Sequence, residues 1–106
     1  MEVNCETDFV ARSQEFSQFC RDVAMQVAAT SPRYIKREEL PKDMKMGAEE
    51  LRATCLLEQP FVRDQGVAVQ DLLKALIAKT GENIVIRRFV KFTVGEVSTN
   101  TNALVL

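Results

Sequence analysis

The residues whose types and spacing carry chemical meaning stand near the start of the chain. In Asn4-Cys5-Glu6-Thr7-Asp8-Phe9-Val10-Ala11-Arg12 an acid and an aromatic lie side by side, just ahead of an amphipathic segment. A catalytic reading finds nothing to support it. The chain has no His, which removes the commonest general base and the commonest metal ligand, and makes a Ser-His or Cys-His nucleophile pair impossible. Carboxylate chemistry remains open in principle, but no pair among the 15 acids stands apart from the solvated ones. Cys5, Cys20 and Cys55 are an odd set at wide, irregular spacing. They fit neither a disulfide framework nor a zinc site and read as small buried or half-buried thiols of a reducing compartment. No catalytic, metal-binding or cofactor-binding residue is therefore expected, and the chain is not read as an enzyme.

Composition bounds the rest. A chain of 106 residues makes one domain, of a size where a single hydrophobic core is just sufficient. Its apolar fraction of 46% is normal for a globular protein. With 14 basic and 15 acidic residues the net charge is −1, so no basic excess points to nucleic acid. No apolar run is long enough to span a membrane. No charged segment followed by an apolar one opens the sequence, so no secretory signal is expected.

Two helical stripes must position the Asp-Phe pair. Phe16, Phe19, Cys20, Val23 and Val27 recur at i, i+3, i+4, i+7 and i+11, with Ser13 placed to cap the start and Pro32 stopping the helix just past Ala29. Val69, Leu72, Leu73, Leu76 and Ile77 form the second stripe, ended by Gly81. Its start has Ala68 where Ser or Thr would cap better, which predicts a frayed first turn. Between the two, Glu38 to Thr54 is polar and weakly helical. Gly47 interrupts it at a cost of about 1 kcal/mol relative to Ala, and a turn near Gly47 would make it a helix–turn–helix.

Strand signals are fewer. Cys55 to Val62 contains Pro60 and reads as an extended crossing or an edge, followed by a turn over Arg63 to Gly66. From Ile84 to Val94 the residues alternate, with Ile84, Ile86, Arg88, Val90, Phe92 and Val94 on a mostly apolar face. Arg87 and Arg88 are candidates for a partner-binding patch; the plainer reading puts Arg87 on the solvated face and has Arg88 pair with an acid or reach solvent. Such a strand needs a partner for its backbone groups, and the candidate is a stub at Glu2 to Cys5. The expected fold class is α+β, two layers, with a small antiparallel sheet packed against helices. Residues 1–95 form the domain, and the Ser/Thr/Asn-rich 96–106 a disordered tail.

Several stretches are similar to translation elongation factor Ts. The run Asn4 to Arg12 resembles the family's Thr-Asp-Phe-Val-Ala signature. Asp22 to Ala29, with Ser31-Pro32-Arg33-Tyr34 after it, resembles its core helix and following loop. Leu56-Leu57-Glu58-Gln59-Pro60-Phe61-Val62 resembles its Gln-Pro-Phe segment, and Gly81-Glu82-Asn83-Ile84 into Arg87-Arg88-Phe89 its closing strand in the short bacterial or plastid form. These matches come in family order and cover roughly residues 2 to 95. The family's N-terminal ubiquitin-associated-like helical module has no counterpart in this sequence. The strand hairpin ahead of the Asn-Cys run is missing except for its last residues, and the helical hairpin over about Leu40 to Thr54 looks shortened. The sequence therefore resembles the core, dimerisation domain of the family in a reduced form.

The resemblance implies a function that periodicity does not. Family members bind elongation factor Tu, a GTPase, and promote release of its GDP by inserting an Asp-Phe pair near the magnesium site. The residues that match this contact are Thr7, Asp8, Phe9 and Val10. It further implies no cofactor, a possible homodimer, no direct nucleic-acid or membrane contact, and a cytoplasmic, plastid-stromal or mitochondrial-matrix location. By periodicity Phe9 sits seven residues before Phe16 and would top the core stripe; the implied role needs a break near Arg12-Ser13 that frees the pair to project. Asp8 in a first helical turn would also favour the helix dipole. Met25 and Val27 are candidates for a partner-facing side but suit core packing, and Phe61 is a core plug. A second function class, a non-catalytic binding or ribosome-associated domain that keeps the fold, predicts the pair buried or indifferent.

Overall fold

The computed structural model describes residues 1–91, which run β1 (Glu2–Asn4), α1 (Asp8–Ala11), α2 (Gln14–Thr30), α3 (Ala48–Thr54), β2 (Pro60–Phe61), β3 (Asp64–Ala68), α4 (Val69–Thr80) and β4 (Val85–Arg88). Short 3-10 turns at Arg37–Glu39 and Leu56–Glu58 complete the path. The architecture is α+β, with two antiparallel ribbons, β1–β4 and β2–β3, among the helices. Both helical stripes fold as the sequence predicts. Phe16, Phe19, Val23 and Val27 of α2 and Val69 and Leu76 of α4 are buried in one cluster, to which β4 adds Ile86 and the residue before it Ile84. Each such side chain contributes about 1.5–3 kcal/mol on leaving water, and together they fix α2, α4 and the first ribbon against one another.

The ends of α2 follow from local chemistry. Ser13 caps its start, with its hydroxyl accepting from Phe16 N–H at 3.2 Å. At the other end Ser31 takes the left-handed conformation (φ 53°) ahead of Pro32. Lys91 donates from Nζ to Ala28 O at 2.8 Å and also to the Ser31 hydroxyl, placing a cation where the helix carbonyls end. Gly81 ends α4 at φ 71°, the left-handed C-cap expected of it. Ala68 has no side-chain acceptor, yet the first turn of α4 is held: the Asp71 carboxylate accepts from Ala68 N–H at 3.0 Å, half of a capping box.

Several expectations are corrected. Among the described residues, the strand predicted from Ile84 to Val94 covers Val85–Arg88. β1 pairs Asn4 with Val85, Val3 with Ile86 and Glu2 with Arg88, and no described strand lies alongside the residues that follow. Phe92, Thr93 and Val94, like the tail assigned to 96–106, lie outside the described residues. The weak helix over Glu38 to Thr54 reduces to the 3-10 turn and to α3, which starts just after Gly47. The turn expected over Arg63 to Gly66 is tighter, at Val62-Arg63, and Asp64–Ala68 is a strand that period-2 reading missed because its burial does not alternate.

Two buried glutamines join the middle of the chain. Gln26 and Gln59 are buried, and the Gln26 side-chain amide donates to Gln59 Oε1 at 2.9 Å and to Pro60 O at 3.1 Å. Gln26 Oε1 accepts from Val62 N–H at 2.9 Å, Gln59 donates to Ala53 O at 2.8 Å, and Thr30 donates to Gln59 Oε1 at 2.8 Å. Every buried polar atom of this knot among the described residues has a partner. It fastens the Gln-Pro-Phe segment to α2, and Phe61 plugs the core as the sequence predicts.

Candidate functional site

The Asp8-Phe9 pair sits on a separate single turn of helix. Thr7 is extended (φ −130°, ψ 155°) and its hydroxyl accepts from Val10 N–H at 3.3 Å, capping α1. Arg12 closes that turn, and Ser13 returns to extended backbone (φ −71°, ψ 152°) before α2 begins. Ser13 serves both helices: its hydroxyl donates to Val10 O at 2.7 Å while accepting from Phe16 N–H. The break therefore has a chemical cause, because Ser13 bonds a carbonyl in the last turn of one helix and an amide in the first turn of the next together.

Within α1 the neighbours Phe9 and Val10 meet different environments. Val10 is buried in the core, 5% exposed, whereas Phe9 is 85% exposed. An aromatic ring left this open loses the stabilisation that burial would give, about 2–3 kcal/mol. Asp8 is exposed in the first turn of α1, where the helix dipole favours its charge. None of the ion pairs among the described residues uses it. Thr7 is exposed as well. Of the four predicted site residues, Thr7, Asp8 and Phe9 thus face outward, and Val10 is the anchor that holds the turn to the core.

A residue remote in sequence supports the turn. Glu82, just after α4, accepts from the backbone N–H groups of Glu6 and Thr7, both at 3.0 Å to Oε1, and its Oε2 accepts from the Thr7 hydroxyl. Glu82 N–H in turn donates to the Thr80 hydroxyl at 3.3 Å. Cys5 faces the same loop, with Sγ 3.4 Å from Thr7 O. Sequence reading did not single out Glu82; the only signal was an acid directly behind the helix-ending Gly81, which has many ordinary explanations.

The other candidates fall in different environments. Arg88 pairs with Glu2, Nε to Oε1 at 2.8 Å across the ribbon, and Arg87 is exposed. A hydrogen bond from the Asn4 amide, with Arg88 beside it, holds the Glu2 carboxyl below its ordinary range. Met25 and Val27 part company: Val27 is fully buried and Met25 is 39% exposed. Cys5 and Cys20 are half-buried free thiols and Cys55 is a buried one. Among the described residues no cluster of acids and cysteines is placed to hold a metal ion, and no helix is long and apolar enough to cross a membrane.

Comparison with known proteins bears on this geometry. The chain is 44% identical over 121 aligned residues to elongation factor Ts of Methylacidiphilum infernorum, a match covering 91% of this chain and 60% of that protein. It is 44% identical over 123 residues to elongation factor Ts of Carboxydothermus hydrogenoformans, covering 91% and 57%. It is 41% identical over 130 residues to that of Thermoanaerobacter pseudethanolicus, covering 96% and 64%. No family model matches the chain. The chain spans about three fifths of the length of the relatives it matches. In the first match, 91% of 106 residues is about 96, so roughly 25 of the 121 aligned positions have no counterpart here.

Proposed function

We propose that this chain, 38–44% identical to elongation factor Ts proteins over about three fifths of their length, belongs to that family and acts in translation elongation as a guanine-nucleotide exchange factor for elongation factor Tu. On this reading it forms no bonds of its own. The observation that carries it is the 85% exposure of Phe9 on a capped turn whose next residue, Val10, is anchored in the core. A ring presented this way is a preformed wedge, with the exposed Asp8 next to it in the turn as a negative charge. Thr7, Asp8 and Phe9 make the contact, and Val10 keeps the turn seated.

The mechanism is a competition for a binding state. Inserted near the magnesium site of the GTPase, the Asp-Phe pair disturbs the metal, whose charge offsets that of the diphosphate. GDP is then held less tightly. The factor accelerates release only if it binds the nucleotide-free state better than the GDP-bound one, and by reciprocity GTP rebinding expels it. Moving a site from nearly full to nearly empty takes about 5.5 kcal/mol of differential affinity. Two side chains seldom supply that alone, so further contacts elsewhere on the domain belong to this reading. It also assigns the roughly 25 positions lacking here to the region of residues 40–54, where the chain keeps one short helix, α3.

The test is release of a fluorescent GDP analogue from elongation factor Tu, with this chain and with its Phe9→Ala form. Acceleration by the chain and its loss in Phe9→Ala support the reading. No acceleration by the intact chain rules it out and leaves the non-exchanging binding domain.

A further inference from the structure

We propose that Glu82 is the positioning residue of the Asp8-Phe9 wedge: its carboxylate locks the Thr7 turn in the projecting conformation before any partner arrives. The proposal rests on the exchange reading for its function and on geometry alone for its structural part.

The loop that carries the wedge has little else to define it. Between the end of β1 at Asn4 and the start of α1 at Asp8 the chain makes no ladder hydrogen bonds, and Glu6 through Phe9 are exposed. Such a segment, left to itself, samples many conformations. One carboxylate removes that freedom. Oε1 takes two consecutive amides, Glu6 and Thr7, and Oε2 takes the Thr7 hydroxyl, so both oxygens are used on adjacent groups of one turn. Hydrogen bonds to a carboxylate are the stronger kind. The Thr7 hydroxyl, oriented by this bond, is the same atom that accepts from Val10 N–H and caps α1. Glu82 therefore reaches the helix that displays Phe9 through a chain of two contacts.

Glu82 is itself well placed to be a fixed point. Gly81 in the left-handed conformation ends α4 just before it, and buried Ile84 follows it. The sequence separation of 75 residues makes the clamp a tertiary feature. It ties the start of the wedge to the junction of α4 and β4, the same part of the molecule that receives β1. Pre-ordering of this kind improves binding because the competent conformation need not be selected from a mixture. If the freed turn projects about one-tenth of the time, the half-saturating concentration rises about tenfold. The maximal rate stays the same, because the bound wedge reaches the same geometry.

The experiment compares the full chain with Glu82→Ala and Glu82→Gln in two measurements. In amide hydrogen exchange, Glu82→Ala is expected to lose protection at Val10 to Ser13, with amides of α2 and α4 such as Val23 and Leu76 unchanged. Unchanged protection at Val10 to Ser13, or equal loss throughout the molecule, overturns the clamp. In GDP release from elongation factor Tu, Glu82→Ala is expected to raise the half-saturating concentration about tenfold at constant maximal rate. Glu82→Gln, which keeps one acceptor for the two amides, should recover most of the loss. An Ala variant that loosens the turn but exchanges nucleotide like the parent overturns the positioning role. If the parent chain does not accelerate release, the exchange reading fails and with it the functional half, while the amide measurement still decides the clamp.

Discussion

Phe9 and Val10 are consecutive residues of one helical turn, and they face opposite environments: Val10 is 5% exposed and Phe9 85%. Successive residues on a helix are about 100° apart, so a turn seated by Val10 must aim its neighbour elsewhere. Had the helix run on unbroken, Phe9 would have joined the Phe16 stripe. The separate caps on α1 and α2 allow one residue to serve the core while the other stays in solvent.

Ser13 holds that separation. Ser13→Ala removes the acceptor for Phe16 N–H and the donor to Val10 O. The variant should be less stable by about 1 kcal/mol, read as a lower urea midpoint at unchanged slope. It should also raise helicity at Arg12 and Ser13, seen in their backbone chemical shifts, as the two helices merge.

Gln26 binds the middle of the fold. Gln26→Leu keeps the volume roughly but leaves Val62 N–H and Pro60 O without their buried partner. A loss of about 2–4 kcal/mol is expected in denaturant unfolding. Thr30→Val, which removes one contact to Gln59 and one to the Gln26 carbonyl, should cost about 1 kcal/mol.

The three thiols should differ in reactivity. Burial, then the nearby Glu58, pushes the Cys55 thiol up, and burial pushes up that of Cys20. Only the thiolate attacks, and Cys55 is also closed to solvent. Titration of the native chain with a disulfide reagent should label Cys55 last, and denaturant should abolish the delay. Early modification of Cys55 in the native state would show that the segment around Cys55 opens readily.

Acid should weaken the outer contacts. The Glu2 carboxyl is held low by Asn4 and Arg88, and that of Glu15 by its own backbone N–H and by Lys79, 3.4 Å away. A carboxyl lowered in the folded state stabilises above its unfolded pKa and loses that contribution as pH falls through the folded one. The urea midpoint should therefore drop between about pH 5 and about pH 3. Glu2→Gln should lessen the drop slightly, both groups being solvent-exposed and screened.

The helices were readable because Phe16 to Val27 and Val69 to Ile77 repeat at helical spacing, and their ends because Ser13, Pro32 and Gly81 have well-defined local roles. The Asp64–Ala68 strand was not, since its half-exposed residues give no alternation. The strand pairing stops at Arg88, short of Phe89 to Lys91, because strand length is set by the partner, and β1 reaches only from Asn4 to Glu2. Phe9 shows the limit most clearly: its spacing from Phe16 placed it in the core, and only the resemblance of Thr7-Asp8-Phe9-Val10 argued otherwise. Glu82 and the Gln26–Gln59 knot depend on contacts 29 to 76 residues apart, which no local pattern encodes.

Nucleotide release tests the central claim most directly. With fluorescent GDP bound to elongation factor Tu, this chain should speed release, and Phe9→Ala should lose at least about tenfold of that acceleration, a difference of about 1.4 kcal/mol. Its unfolding free energy should stay within about 0.5 kcal/mol of the parent, because so exposed a ring carries little of the fold. Equal acceleration by the parent and Phe9→Ala, at equal stability, would contradict the assignment of the wedge.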